Sequence, residues 1–209
     1  MLIEPVTLTA GDGIGLEGEL AVPTDVPPWA GAVLAHPDPR QGGNMRSIVP
    51  GTLFEGLPAE GVAAIRFNFR GVGGSGGGYG GGIEEAKDIV AALDHLVASL
   101  PAGTPVILAG WSFGADVSLT VADARLAGWF CAAPPLRFVE PATMAAAHDR
   151  RPKLLAIPER DQFRRPDAAR EIVAGWTNCR IEVVAGADHF FVGRTDRLTP
   201  LCLELLRSI

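Results

Sequence analysis

Short apolar runs recur along the chain with turn-forming residues between them: Val6–Thr9, Leu16–Val22, Gly31–His36, Val62–Phe69, Val106–Gly110, Gly128–Ala132, Leu154–Ile157 and Ile181–Val184. The first two flank Gly11-Asp12-Gly13 and predict an antiparallel hairpin at one edge of a sheet. From Gly31 onward the runs alternate with patterns of helical period. These predict helices over roughly Ile48–Glu60, Ile83–Leu100, Phe113–Ala124, Pro166–Gly175 and Asp196–Leu206. The second is the clearest, with acids at its start and apolar residues at Ile89, Leu93, Leu96 and Val97. Strands apolar on both faces that alternate with helices imply an α/β fold, a mostly parallel sheet covered on both sides. Ligands of such sheets bind outside the carboxyl ends of the strands, so chemistry is sought there.

Composition narrows the classes. A chain of 209 residues with 47% hydrophobic and 20% charged residues fills one domain, residues 1–209, and is too short for two of ordinary size. Its net charge is -6 and its one short basic cluster is at His148-Asp149-Arg150-Arg151, which argues against a nucleic-acid partner. No window reaches the apolar length of a membrane span. The N-terminal residues, with Glu4 early and no basic region, do not read as a secretory signal. Cys131, Cys179 and Cys202 form no metal-binding spacing and read as buried free thiols of a cytoplasmic protein. No metal or cofactor is implied.

One stretch argues briefly for a cofactor. Residues 71–82 read GVGGSGGGYGGG and begin with a match to G-x-G-x-x-G, the dinucleotide fingerprint. In that fold the helix opens inside the fingerprint and an acid ends the following strand. Here the helical pattern starts only around Ile83, and the following strand ends in Trp111-Ser112. No phosphate cradle is expected.

The run Val106–Gly110 passes through Gly110-Trp111-Ser112-Phe113-Gly114 directly into a helical pattern. In G-x-S-x-G the turn is too tight for flanking side chains, and the serine is held exposed above a helix N-terminus. That helix end offers backbone N–H donors to a developing oxyanion. A plain tight turn is the simpler reading of the same residues, but the strand-turn-helix context favours a nucleophile. A serine needs a base, and the base an orienting acid. Of four histidines, His95 lies within a helix and His148 in a polar stretch, whereas His189 follows a strand end late in the chain. The acid falls between: Asp161, past the strand Leu154–Ile157, with Glu159 in reserve. A salt bridge to Arg160 or Arg164 is the alternative for either acid, and Asp188 is expected to point away from the ring beside it.

The order Ser112, Asp161, His189 resembles that of the α/β-hydrolase fold, over nearly the whole chain from about residue 16. His36-Pro37-Asp38-Pro39, Gly42-Gly43-Asn44-Met45 and Phe67-Asn68-Phe69-Arg70-Gly71 are more narrowly similar to motifs of small lidless bacterial hydrolases related to the dienelactone-hydrolase branch. The resemblance implies an oxyanion hole made by the backbone N–H groups of Asp38 and Phe113, and Pro39, with no N–H, narrows that choice. It also implies His36 as a hydrogen-bonder beneath that loop and Arg70 as the anchor of the glycine turn at the site rim. The chain departs from the group in carrying Asp38 where histidine is usual, and in Ile157-Pro158 before the acid motif. An acid beside an oxyanion hole opposes its charge unless it faces solvent.

The function expected is hydrolysis of an acyl bond in a small-molecule substrate, first a carboxylic ester. Aminopeptidase or thioesterase activity is the alternative among enzymes, and a catalytically silent binding domain the alternative outside them. Between Ala133 and Lys153 there is room for a small flap but for no cap domain.

Overall fold

Each of the eight apolar runs becomes a strand in the computed structural model, which describes residues 1–209. They are β1 (Leu2–Thr9), β2 (Gly15–Val22), β3 (Ala30–Ala35), β4 (Val62–Phe67), β5 (Val106–Trp111), β6 (Leu126–Ala132), β7 (Lys153–Pro158) and β8 (Cys179–Val184). All lie in one sheet of order β1-β2-β4-β3-β5-β6-β7-β8. The β1–β2 hairpin and the β2–β4 pair are antiparallel, and every other pairing is parallel. This is the architecture of the α/β-hydrolase fold without a cap domain.

The helices are α1 (Ile48–Gly56), α2 (Glu85–Ala98), α3 (Phe113–Thr120), α4 (Pro166–Val173) and α5 (Leu198–Arg207). Ile89 and Leu93 of α2, Phe113 and Val117 of α3, and Val173 of α4 bury one face of the sheet. Leu53 and Phe54 of α1 with Leu198 and Leu206 of α5 bury the other. The central strands β3 and β5 are buried at every position, as their unbroken apolar sequence requires. The edge strand β8 is only partly buried and carries Arg180 and Glu182, charges that blunt an open edge.

Helix ends depart from the periodicity for identifiable reasons. The first stops at Gly56 because Pro58 cannot continue it, and the chain closes in a 3-10 turn over Pro58–Glu60. The third stops at Thr120, short of Ala124: the buried indole of Trp129 donates to the carbonyls of Ser118 and Val121 at 3.1 and 3.2 Å and fixes the end there. The second opens at Glu85 because Gly81 and Gly82 hold φ of 74° and 89°. Among the cysteines, Cys131 and Cys202 are buried, but Cys179 is only half-buried because it opens the edge strand β8.

After β6, two short 3-10 turns occupy Pro141–Thr143 and Ala145–His148. Met144 and Ala146 sink into the core on the α3 side. The later part of the segment is therefore packed down rather than raised as a flap.

Candidate active site

Parallel register brings the candidate residues together. Ala35 of β3 pairs with Gly110 of β5, so the chain running on from each strand sets His36-Pro37-Asp38 beside Trp111-Ser112. On the other side β5 leads through β6 and β7 to β8, whose Val184 pairs with Pro158. Asp161 and His189 thus emerge from adjacent strand ends.

Ser112 caps α3 with φ 53° and ψ −119°, a backbone state costing about 1–3 kcal/mol outside glycine. Packing sustains it. A Cβ on Gly110 would lie 2.4 Å from the Gly114 carbonyl oxygen, and one on Gly114 would lie 2.4 Å from that of His36. Glycine is required at Gly110 because the first turn of α3 folds back on it, and at Gly114 because that turn is pressed against the end of β3.

The side chains form a continuous line. His189 Nε2 stands 2.9 Å from Ser112 Oγ, and His189 Nδ1 stands 2.8 Å from Asp161 Oδ2. The other carboxylate oxygen of Asp161 accepts the N–H groups of Phe163 and Arg164 at 2.7 and 3.0 Å. All three residues are buried, Asp161 to 1% exposure. The indole of Trp111 donates to the His189 carbonyl at 3.1 Å, and the ring of Phe163 meets the imidazole edge-on at 4.5 Å.

Glu159 is a correction. It meets neither His189 nor an arginine; its carboxylate accepts the Gly186 N–H at 2.6 Å, while the guanidinium of Arg164 donates to the Pro135 carbonyl. Asp188 turns back on its own loop and accepts the N–H groups of Phe190 and Val192. His95 is half-buried in α2 and His148 is exposed.

Asp38 follows β3, and its backbone N–H donates to no other group of the chain. Its carboxylate is matched rather than solvated: Arg40 reaches it through Nε at 3.1 Å and Nη2 at 2.9 Å, and the Arg40 N–H donates to it as well. Phe113 opens α3, where the first N–H groups have no intrahelical acceptor. His36 is fully buried. Its Nε2 accepts the Phe69 N–H at 3.0 Å, so Nδ1 carries the proton donated to the Pro37 carbonyl at 2.7 Å. Burial drives its pKa down to about 4, and it stays neutral. Arg70 is buried beneath the glycine stretch, where its guanidinium binds Asp88 of α2 at 2.6 Å and Asp12 of the β1–β2 turn at 2.9 Å.

One residue escaped sequence reasoning. Asp116, fully buried in α3, accepts the N–H groups of Leu136, Arg137 and Phe138 at 2.9, 2.9 and 3.0 Å. Desolvation pushes its pKa up to about 6 in spite of those donors. It is the one charged residue in the helix FGADVSLT, and that was the available signal.

Ser112 and His189 open on a cavity of about 600 Å³. Ile48, Trp111, Phe138, Phe163 and Phe190 give it apolar walls, and Arg40 and Arg137 stand at it as cations. No group of His, Cys, Asp or Glu side chains is arranged to hold a metal ion. No helix is long and apolar enough to cross a membrane.

No family model matches the chain. A solved α/β serine hydrolase homologue from Coxiella burnetii is 30% identical, with TM-score 0.85 over 99% of this chain and 97% of its own. A Xanthomonas campestris α/β serine hydrolase without a lid is 25% identical, with TM-score 0.86 over 99% of this chain and 94% of its own. A Rickettsia prowazekii protein named only as uncharacterized is 28% identical over 187 residues, 85% of this chain and 79% of its own.

Proposed function

Since the chain belongs to the α/β-hydrolase superfamily, and is thereby an enzyme of the hydrolase class, we propose that it is a serine hydrolase that cleaves small carboxylic esters through an acyl-enzyme. The observation that carries this reading is the unbroken line from Ser112 through His189 to Asp161, opening at the serine on an apolar-walled cavity.

In the proposed reaction Ser112 Oγ attacks the ester carbonyl carbon while His189 Nε2 takes its proton. Asp161 accepts a hydrogen bond from the Nδ1–H, which keeps the proton on Nδ1 and leaves Nε2 free to act as the base. The carbonyl electron pair moves onto oxygen, and the N–H groups of Asp38 and Phe113 receive that charge. Arg40 offsets the Asp38 carboxylate, so the amide presents no net negative charge beside it. Collapse of the tetrahedral adduct expels the alkoxide, which His189 protonates. Water then repeats the steps on the acyl-serine and releases the acid and free Ser112. The matched acid and neutral His36 leave the reacting atoms one base, His189.

A fluorophosphonate tests the proposal because only an activated serine beside a base reacts with it quickly. Labelling is expected at Ser112, with Ser112→Ala losing both label and hydrolysis of a p-nitrophenyl ester while its thermal unfolding hardly changes. Labelling at Ser75 or Ser118 instead would sink the assignment. A series of esters graded in acyl length, run beside amides and thioesters, then ranks the substrates.

A further inference from the structure

The glycine stretch 71–82 holds no group used above, yet it is fastened at both ends. Ser75 Oγ donates to the Asn68 carbonyl at 2.7 Å, and the Gly71 N–H donates to the Gly76 carbonyl at 2.9 Å. At the far end the N–H groups of Gly80 and Gly82 both donate to the carboxylate of Glu85, a fully buried residue in the first turn of α2. Between those fastenings the stretch carries a single large side chain, Tyr79.

That ring touches Phe113, one of the two residues whose amides are assigned to the oxyanion, and Arg40, the ion-pair partner of the other. Its centroid lies 5.7 Å from that of Phe113, and the guanidinium carbon of Arg40 sits 4.3 Å from its centre. Arg40 in turn grips the Asp38 carboxylate through two nitrogens and its own backbone N–H. The Arg40 side chain is 54% exposed, and an ion pair so open to water holds its geometry weakly unless a further contact fixes it. The tyrosine face supplies that contact.

We propose that Tyr79 is a positioning residue for the oxyanion hole: by clasping Arg40 and Phe113 it keeps the Asp38 and Phe113 amides aimed at one oxygen. The inference rests on the serine-hydrolase reading above. It gives the glycines a purpose other than phosphate binding. They let a short, tied-down loop deliver one aromatic ring to the rim.

The test compares Tyr79→Phe, Tyr79→Leu and Tyr79→Ala on p-nitrophenyl acetate, with inhibition by a trifluoromethyl ketone as a second readout. The ketone forms a tetrahedral adduct with serine and depends on the same oxyanion donors as the transition state. Loosening the donors acts on the transition state, so Tyr79→Ala is expected to lower kcat about 10-fold with KM within about twofold. Its Ki for the ketone should rise by a similar factor. Tyr79→Phe keeps both ring contacts and should match the wild type. Tyr79→Leu keeps apolar bulk against Phe113 but loses the stack on Arg40, and should fall at least about threefold below Tyr79→Phe in kcat. Should Tyr79→Ala not fold, that Leu–Phe pair decides the matter, and equal kcat values overturn the proposal. Tyr79→Ala with unchanged kcat and Ki, in a protein whose Ser112 is labelled, overturns this inference alone. A wild type that neither labels at Ser112 nor hydrolyses esters overturns the serine-hydrolase reading and this inference with it.

Discussion

Asp161→Asn changes one atom, and the surroundings determine which way the new amide turns. In the wild type one carboxylate oxygen accepts from Phe163 and Arg164 at 2.7 and 3.0 Å, while the other faces His189 Nδ1 at 2.8 Å. Asparagine has one oxygen to satisfy both sides. If that oxygen faces His189, its NH2 group confronts two backbone donors, each left unsatisfied at a cost of about 1–3 kcal/mol. The favoured orientation therefore keeps the oxygen on Phe163 and Arg164 and turns NH2 toward Nδ1. His189 must then carry its proton on Nε2, pointed at Ser112, where it cannot act as a base. A bias of roughly 2–6 kcal/mol leaves the competent orientation populated about 30-fold to 10⁴-fold less. The same change in serine proteases lowers kcat by about 10⁴. Steady-state hydrolysis of p-nitrophenyl acetate should thus show kcat reduced by at least about 30-fold, with unfolding temperature nearly unchanged. Glu159→Gln, which keeps an oxygen for Gly186, should stay within about twofold, since surface changes of this kind are usually small. Asp161→Asn within a few-fold of wild type, or a crippled Glu159→Gln, would refute the reasoning.

Gly114→Ala places a methyl 2.4 and 2.5 Å from the carbonyl oxygens of His36 and Ala35, which are backbone atoms that cannot rotate away. Denaturant melts should show at least about 1–3 kcal/mol lost, against no appreciable loss for Gly78→Ala, where a Cβ meets nothing within 4 Å; equal melts would contradict the packing argument. His36 makes stability depend on pH. Its folded pKa is depressed to about 4 from 6.5, so the unfolded state binds the proton first as pH falls. Its contribution is whole above 6.5 and is lost as pH falls through 4, a change of about 3 kcal/mol. The stability gap between wild type and His36→Gln should shrink by about that amount across this window in urea melts; a constant gap would show that the imidazole titrates alike in both states.

The strands were legible because buried parallel strands announce themselves as unbroken apolar runs, and the helices between them imply parallel pairing, though not the order that sets β4 between β2 and β3. Chain order and strand-end position likewise pointed to Ser112, Asp161 and His189, which the register sets side by side. What sequence did not show were contacts between loops distant in the chain. Nothing in Glu159-Arg160 says that the carboxylate serves Gly186 rather than its neighbouring arginine. Asp116 looks like an ordinary first-turn acid until three amides from the segment after β6 are seen converging on it. The pairing of Asp38 with Arg40 was equally hidden, because two residues of spacing do not specify which way either side chain turns. Helix ends were misjudged where a side chain from elsewhere stops them, as Trp129 does for α3.

The line of hydrogen bonds from Ser112 to Asp161 spans the sheet in a particular sequence of construction. Ser112 and Asp161 project from strand ends separated by β6, and His189 reaches them only from beyond β8, the last strand and the outermost. A chain folded as far as β7 would own a strained serine and an acid with no imidazole between them. On the proposed mechanism such a molecule carries no working nucleophile, so a half-assembled protein would not be acylated by passing esters. On that reading competence arrives only once β8 and the loop after it are in place, which makes turnover a count of molecules with an assembled sheet.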